Sequence, residues 1–156
     1  MNPYVKHALN QIDVAIETII KIIDSLEDHD LLKRPTADKH SIGELLEHIA
    51  MICQADLLIS EGASREEMES FYSSAALNNL QDLKEELKKN YSLLSERFSQ
   101  FNETELHQEM TSYWGTVYTR FEWLLEIAVH LYHHRGQLHA ILVHCYHKDP
   151  GVMMFE

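Results

Sequence analysis

The chain has 156 residues, 45% apolar and 24% charged, the profile of one globular domain over residues 1–156 that can bury a core without staples. Thirteen Lys and Arg against 25 Asp and Glu leave a formal charge of −12, which repels polyanions and argues against nucleic acid as a partner. Five Gly and three Pro argue against an all-β protein, and no apolar run reaches the ~20 residues of a membrane span, so no membrane partner is expected.

Four long segments carry helical periodicity. The first is predicted from Pro3 to about Leu26, with Asn2 as N-cap and apolar positions Val5, Leu9, Ile12, Ile16, Ile19 and Ile23 every three or four residues. "DHDLLKRPTADKH" breaks it. The second opens on a capping box in "SIGE", Ser41 to Glu44, and runs to about Ser60 with Leu45, Ile49, Ile52 and Cys53 inward. "SREE" predicts a short capped helix in the connection that follows. The third is predicted from about Ala75 to Phe101, followed by an irregular link, "NETELHQEMTSYWGTVY". "TRFE", Thr119 to Glu122, opens the last helix, which is predicted to run to about His147. A short apolar tail, "VMMFE", follows and could cover a pocket or a dimer interface. Four such helices with intervening loops read as an all-α four-helix bundle. Cys53 and Cys145 form no CxxC pair and fall within predicted helices, which fits a reducing cytoplasm. The N-terminus also lacks the apolar core of a signal peptide.

"VHLYHHRGQLHAILVHCYHK" places six of the eleven histidines within eighteen positions. At roughly 100° per residue, His130 and His134 fall on one margin of the core stripe, a turn apart, while His133, His139, His144 and His147 turn away. An i,i+4 pair can offer two imidazoles to one metal ion. His130 with His133 has workable spacing but faces outward. A third ligand should come from a neighbouring helix. His48, at the margin of the second helix's stripe, is the candidate, although alone it would read as a hydrogen-bonded core histidine. Two charges look misplaced: Arg135 and Asp56 face the core side of their helices, so at least one is expected to be salt-bridged to a neighbouring helix. Gly136 has no helical reason to be there, and a close helix approach is one explanation. Tyr113, Trp114, Tyr118 and Trp123 either wall a pocket over the metal or pad a loop.

At "HLYHHRGQ", residues 130–137, the sequence resembles the DinB/YfiT-like metalloprotein superfamily, whose last helix carries an H-x-x-H-H-R-G-Q signature. "SIGELLEHIA" and "YTRFEWLLEIAVH" are similar to that family's second-helix motif and its approach to the final histidines. The resemblance implies a four-helix bundle, often a homodimer, with a divalent metal held by His48, His130 and His134 and one position open. It also implies a small-molecule substrate, since the understood relatives use low-molecular-weight thiols.

Three imidazoles with an exchangeable position suit catalytic zinc, and all-histidine ligation also admits nickel, iron or copper, with zinc or nickel favoured. Such a metal can bind a thiol as thiolate or lower bound water toward pKa ~7. The leading expectation is thus an enzyme transferring a low-molecular-weight thiol to a small electrophile. A hydrolase using metal-bound hydroxide and a non-catalytic metal-binding protein are the alternatives, and a metal-free helical interaction module comes third. No catalytic residue is fixed by the sequence. Glu44 and Glu126, each four residues before a candidate ligand, and Gln137, a turn beyond His134, are candidates to orient a ligand or move a proton. The plainer reading gives Glu44 to its capping box and Glu126 to solvent.

Overall fold

In a computed structural model, which describes residues 1–155, the chain is an all-α bundle with one small hairpin. Helix α1 spans Pro3–Asp24, α2 Ile42–Ser60, α3 Arg65–Ser73, α4 Leu80–Gln100, α5 Glu103–Leu106 and α6 Arg120–Ala140. Strands β1 (Glu109–Thr111) and β2 (Val117–Thr119) pair antiparallel with Met110 opposite Tyr118. The helix starts follow the capping chemistry. Asn2 accepts from the Tyr4 and Val5 amides, and Ser41, Ser64 and Thr119 each form a capping box with Glu44, Glu67 and Glu122.

The structure departs from the periodicity in three places. Helix α4 begins at Leu80 rather than near Ala75, because Asn79 takes an extended backbone and its side chain caps the Asp82 amide. The link after α4 holds a one-turn helix and the β hairpin. The last helix leaves α geometry after Ala140 and ends in a π-helical turn, Ile141–Cys145, rather than continuing to His147.

The four long helices pack in the ring order α1, α4, α2, α6. Their cross-helix bonds fix the directions. His48 meets His134 while Asp56 meets His130, so α2 and α6 are antiparallel. Gln11 meets Tyr132 and Thr18 meets Arg135, so α1 and α6 are parallel. Asn90 donates to the Ala50 carbonyl and Arg97 to Glu61, so α2 and α4 are parallel as well. The order is up, down, down, up. The apolar stripes meet in one core containing Ile12, Ile16, Ile19, Leu45, Ile49, Leu87, Leu94, Leu131 and Leu138. Each such side chain contributes roughly 1.5–3 kcal/mol on burial.

Two close approaches set the end of the bundle nearest the site. Asp30, fully buried in a 3₁₀ turn after α1 (Asp28–Leu32), accepts from Lys33 at 2.6 Å, Lys148 at 2.7 Å and the Glu27 amide at 2.9 Å. A Cβ on Gly43, in the first turn of α2, would sit 2.9 Å from the Leu31 carbonyl oxygen, so the 3₁₀ turn lies directly against the start of α2. Gly136 shows no such approach: it is exposed and a Cβ there would meet nothing within 4 Å. Close helix packing is therefore not its reason. Arg135 is 2% exposed and faces α1, as its helix position requires, donating to Thr18 Oγ1 and the Met154 carbonyl between the rings of Tyr132 and Phe155. The tail thus covers Arg135, with Glu156 outside the described residues. No helix among the described residues is long and apolar enough to cross a membrane.

Candidate metal centre

His48 projects from α2, and His130 and His134 from consecutive turns of α6, at the interface of these antiparallel helices. The Nε2 of His48 lies 3.2 Å from that of His130 and 3.1 Å from that of His134. All three rings are half-buried and tilted to one another, with centroids 4.6–5.2 Å apart. The structure therefore brings together the three histidines that the helix-face reading singles out. His133, the alternative i,i+3 partner, is exposed.

The far side of two rings is committed. His130 Nδ1–H donates to Asp56 Oδ2 at 2.7 Å, and His134 Nδ1–H donates to Gln137 Oε1 at 2.8 Å. These tautomers are assigned from the hydrogen-bond pattern. A neutral imidazole that donates through Nδ1 presents a lone pair at Nε2. Two lone pairs thus point at the Nε2 of His48, whose single hydrogen could satisfy only one of them. An electron-pair acceptor among the three nitrogens resolves the conflict. At zinc–nitrogen distances of about 2.0–2.1 Å, ligands of a tetrahedral ion sit about 3.3 Å apart, close to the spacing seen. The cluster can hold a metal ion.

The electrostatics favour the neutral ring at two of the three donors. Burial, and then the neighbouring His134 and His130, push His48 down to about 4, and burial likewise lowers His134. His130 is raised, chiefly by its hydrogen bond to Asp56. Asp56 is the misplaced charge of α2; its partner on a neighbouring helix is His130, through a hydrogen bond from a neutral ring rather than the expected salt bridge, and Arg135 has no carboxylate partner among the described residues either. Glu126, one turn before His130, is half-buried with its Oε1 3.9 Å from His130 Nδ1, and its Oε2 is buried without a partner. Burial and the adjacent Asp56 charge push its carboxyl up to about 7. It is thus no solvated surface charge. Asp56, Glu126 and His130 form a second cluster of ligating atoms, but His130 enters it through the nitrogen already bonded to Asp56. That cluster serves as the support of the first.

Glu44 follows the plainer reading. Its carboxylate accepts from the Ser41 amide at 2.7 Å and from Arg34 at 2.8 and 3.0 Å, and it makes no hydrogen bond to a candidate ligand. Arg34 holds it down to about 2. Gln137, a turn beyond His134, makes its hydrogen bond to that ring. Tyr113, Trp114, Tyr118 and Trp123 pack on one another at the hairpin and pad it, with Trp123 Nε1 donating to the Met110 carbonyl. The wall of the cavity comes from elsewhere. A cavity of about 700 Å³ opens on His48, lined among others by Met51 from α2, Tyr72 from α3 and Arg34, Lys39 and His40 from the loop before α2. Periodicity gives no sign of Arg34, Lys39 and His40, since loop positions carry no face.

Fold and site together define a class: all-α bundles that present three helix-borne imidazoles in position to take a metal ion. The chain belongs to the DinB superfamily, whose family model matches residues 11–138. It is similar to the solved structure of a DinB-family protein from Exiguobacterium sibiricum 255-15, at 33% identity over 88% of each chain and a TM-score of 0.77. A DinB-like protein from Bacillus cereus ATCC 10987 shares the fold at 18% identity, with 96% of this chain and 94% of that one covered and a TM-score of 0.68. A DinB-like protein from Bacillus subtilis does so at 20% identity, covering 99% and 98%, with a TM-score of 0.67. No protein among the curated ones matches the chain.

Proposed function

We propose that the protein is a metal-dependent enzyme that transfers a low-molecular-weight thiol to a small electrophile. The observation that carries this reading is the convergence of three imidazole Nε2 atoms beside a 700 Å³ cavity that His48 lines. In it, His48, His130 and His134 hold a divalent ion, zinc or nickel. Asp56 and Gln137 fix the two α6 rings, and Tyr72 and Met51 shape the cavity. When bound, such an ion supplies Lewis acidity that keeps a thiol deprotonated at neutral pH. The sulfur then attacks the electrophilic carbon as the leaving group departs with its bonding pair. The thiol proton passes to a carboxylate, for which Glu126, with Oε1 3.9 Å from His130 Nδ1 and a carboxyl raised to about 7, is the candidate. A homodimer in the reducing cytoplasm belongs to the same reading, and the unpaired Cys53 and Cys145 are compatible with it.

Glu126 also supports a second reading, hydrolysis of a small substrate with the same carboxyl as base. One assay separates the two. Metal-loaded protein is given an electrophile with and without a low-molecular-weight thiol, and loss of the electrophile is followed. The transfer reading expects a rate that saturates in thiol and is lost in His48→Ala. Equal turnover without thiol contradicts it and favours hydrolysis, and no turnover in either arm contradicts both.

A further inference from the structure

A second cavity, of about 450 Å³, lies on the other side of the loop before α2. None of the three clustered histidines lines it, and Lys39 and His40 line both cavities, so their loop separates it from the metal centre. Its occupant therefore takes no part in chemistry at the cluster. The separation is held in place. Arg34 donates to the Lys39 carbonyl and to both carboxylate oxygens of Glu44, which pins the loop to the first turn of α2. The opposite wall comes from the end of α6 and from the π-helical turn, which brings Ile141, His144 and Cys145 together. Such turns occur often at functional sites.

The lining runs against the composition of the chain. Acids outnumber bases by 25 to 13, yet the chamber presents Lys39, His40 and His144 and no Asp or Glu. Asp38 and Glu44 line the first cavity instead, and Glu44 is tied to Arg34 at 2.8 and 3.0 Å and comes only to 3.9 Å from His40. Lys33, Lys84, Lys89 and Lys148 each pair with a carboxylate, and Lys39 has no such partner among the described residues. The lining is also sorted by depth. Leu45 is buried, and Pro35 and Ile141 are half-buried, whereas Lys39, His40 and His144 are exposed and mark the mouth. Gln137, whose Oε1 is taken by His134, has its amide nitrogen left to donate. We propose that this chamber is a separate site for a small amphipathic carboxylate, its apolar body inside and its anionic head at the mouth between the loop and the π turn. The body leaves water against Leu45, Pro35 and Ile141. The head stays partly hydrated, so no isolated charge is buried, and it gives Lys39 the counter-charge that the chain does not. The volume lies within the range of small-molecule sites. The site is independent of the transfer reading, and either survives the failure of the other.

Probes that share a six-carbon body and differ in the head test it: hexanoate, hexan-1-ol and hexylamine, with acetate as a head without the body. Amide shifts of isotope-labelled, zinc-loaded protein are followed by NMR titration. Hexanoate should shift Lys39, Ile141 and Cys145 saturably, with a dissociation constant of about a millimolar or below. Hexan-1-ol should bind there about tenfold more weakly, and acetate and hexylamine should leave these amides unmoved. Affinity for hexanoate should be the same in chelator-treated protein, since the metal takes no part. Lys39→Gln should weaken hexanoate about tenfold. Ala140→Phe, at an exposed position of the wall, should abolish binding, and Lys88→Gln, exposed on α4, should change nothing. Each variant should keep the amide spectrum of a folded chain. Equal binding of hexanoate and hexan-1-ol, loss of hexanoate on chelation, undiminished binding in Lys39→Gln or Ala140→Phe, or no saturable shift at these residues would each overturn the site.

Discussion

Asp56 carries more of the centre's geometry than any other residue outside the three histidines. Its carboxylate turns His130 so that Nε2 faces His48, and its charge adds to burial in raising the carboxyl of its neighbour Glu126. Partners of this kind typically contribute 10- to 100-fold to metal affinity. Asp56→Ala should therefore weaken metal binding about 10- to 100-fold, and Asp56→Asn, which keeps an acceptor oxygen, should weaken it less. Competition with a chromophoric chelator reads both, and unchanged affinity in Asp56→Ala would contradict the role. At this scale the sequence revealed the anomaly but not its resolution. A carboxylate facing the core demands a partner, yet the partner lies 74 residues away and only the antiparallel pairing of α2 with α6 identifies it. Tyr72 lay wholly outside such reasoning, because its place depends on how α3 folds back over α2.

Among elements, the helix starts were the most legible features, since a Ser or Thr followed by Glu three residues later satisfies two amides that nothing else would. The ends were less so. The hairpin escaped notice because its strands are only three residues long, too short for a period of two to register, although Gly115, at a φ of 94°, marks the turn between them. The π turn after α6 keeps the apolar spacing of an ordinary helix, and periodicity cannot separate the two. The clamp at Asp30 makes one end of the bundle pH-sensitive. Burial alone would raise its carboxyl, but the Glu27 amide, Lys148 and Lys33 outweigh it and hold the folded value well below the unfolded one near 3.9. The sign follows: its stabilisation is complete above about pH 5 and is lost as pH falls below about 4. Asp30→Ala should cost roughly 3 kcal/mol in urea unfolding of metal-free protein at pH 7. The deficit should shrink at pH 3, and a deficit of undiminished size there would contradict the clamp.

For the molecule as a whole, fold class and the histidine cluster were readable from four apolar stripes and three margin positions. The cavity beside His48 was not, because much of its wall comes from the 34–40 loop, which Arg34 pins to Glu44, and from Tyr72 on α3, and no face pattern encodes either. The ligands stand on helices that meet only in the folded state, His48 being 82 residues from His130. Metal binding at this cluster would therefore be coupled to folding. At one hundred times its dissociation constant, metal should add about 2.7 kcal/mol, or roughly 5–10 °C in thermal midpoint for a chain of this length. No shift on adding zinc or nickel to chelator-treated protein would contradict the coupling.

The most direct measurement is elemental analysis of the purified protein beside His48→Ala, His130→Ala, His134→Ala and His133→Ala. The expected result is about one divalent metal ion per chain, retained in His133→Ala and lost in each of the other three, with helical circular dichroism kept throughout. Metal absent from the parent protein after loading, or retained at full occupancy in folded His48→Ala, would contradict a centre shared between α2 and α6.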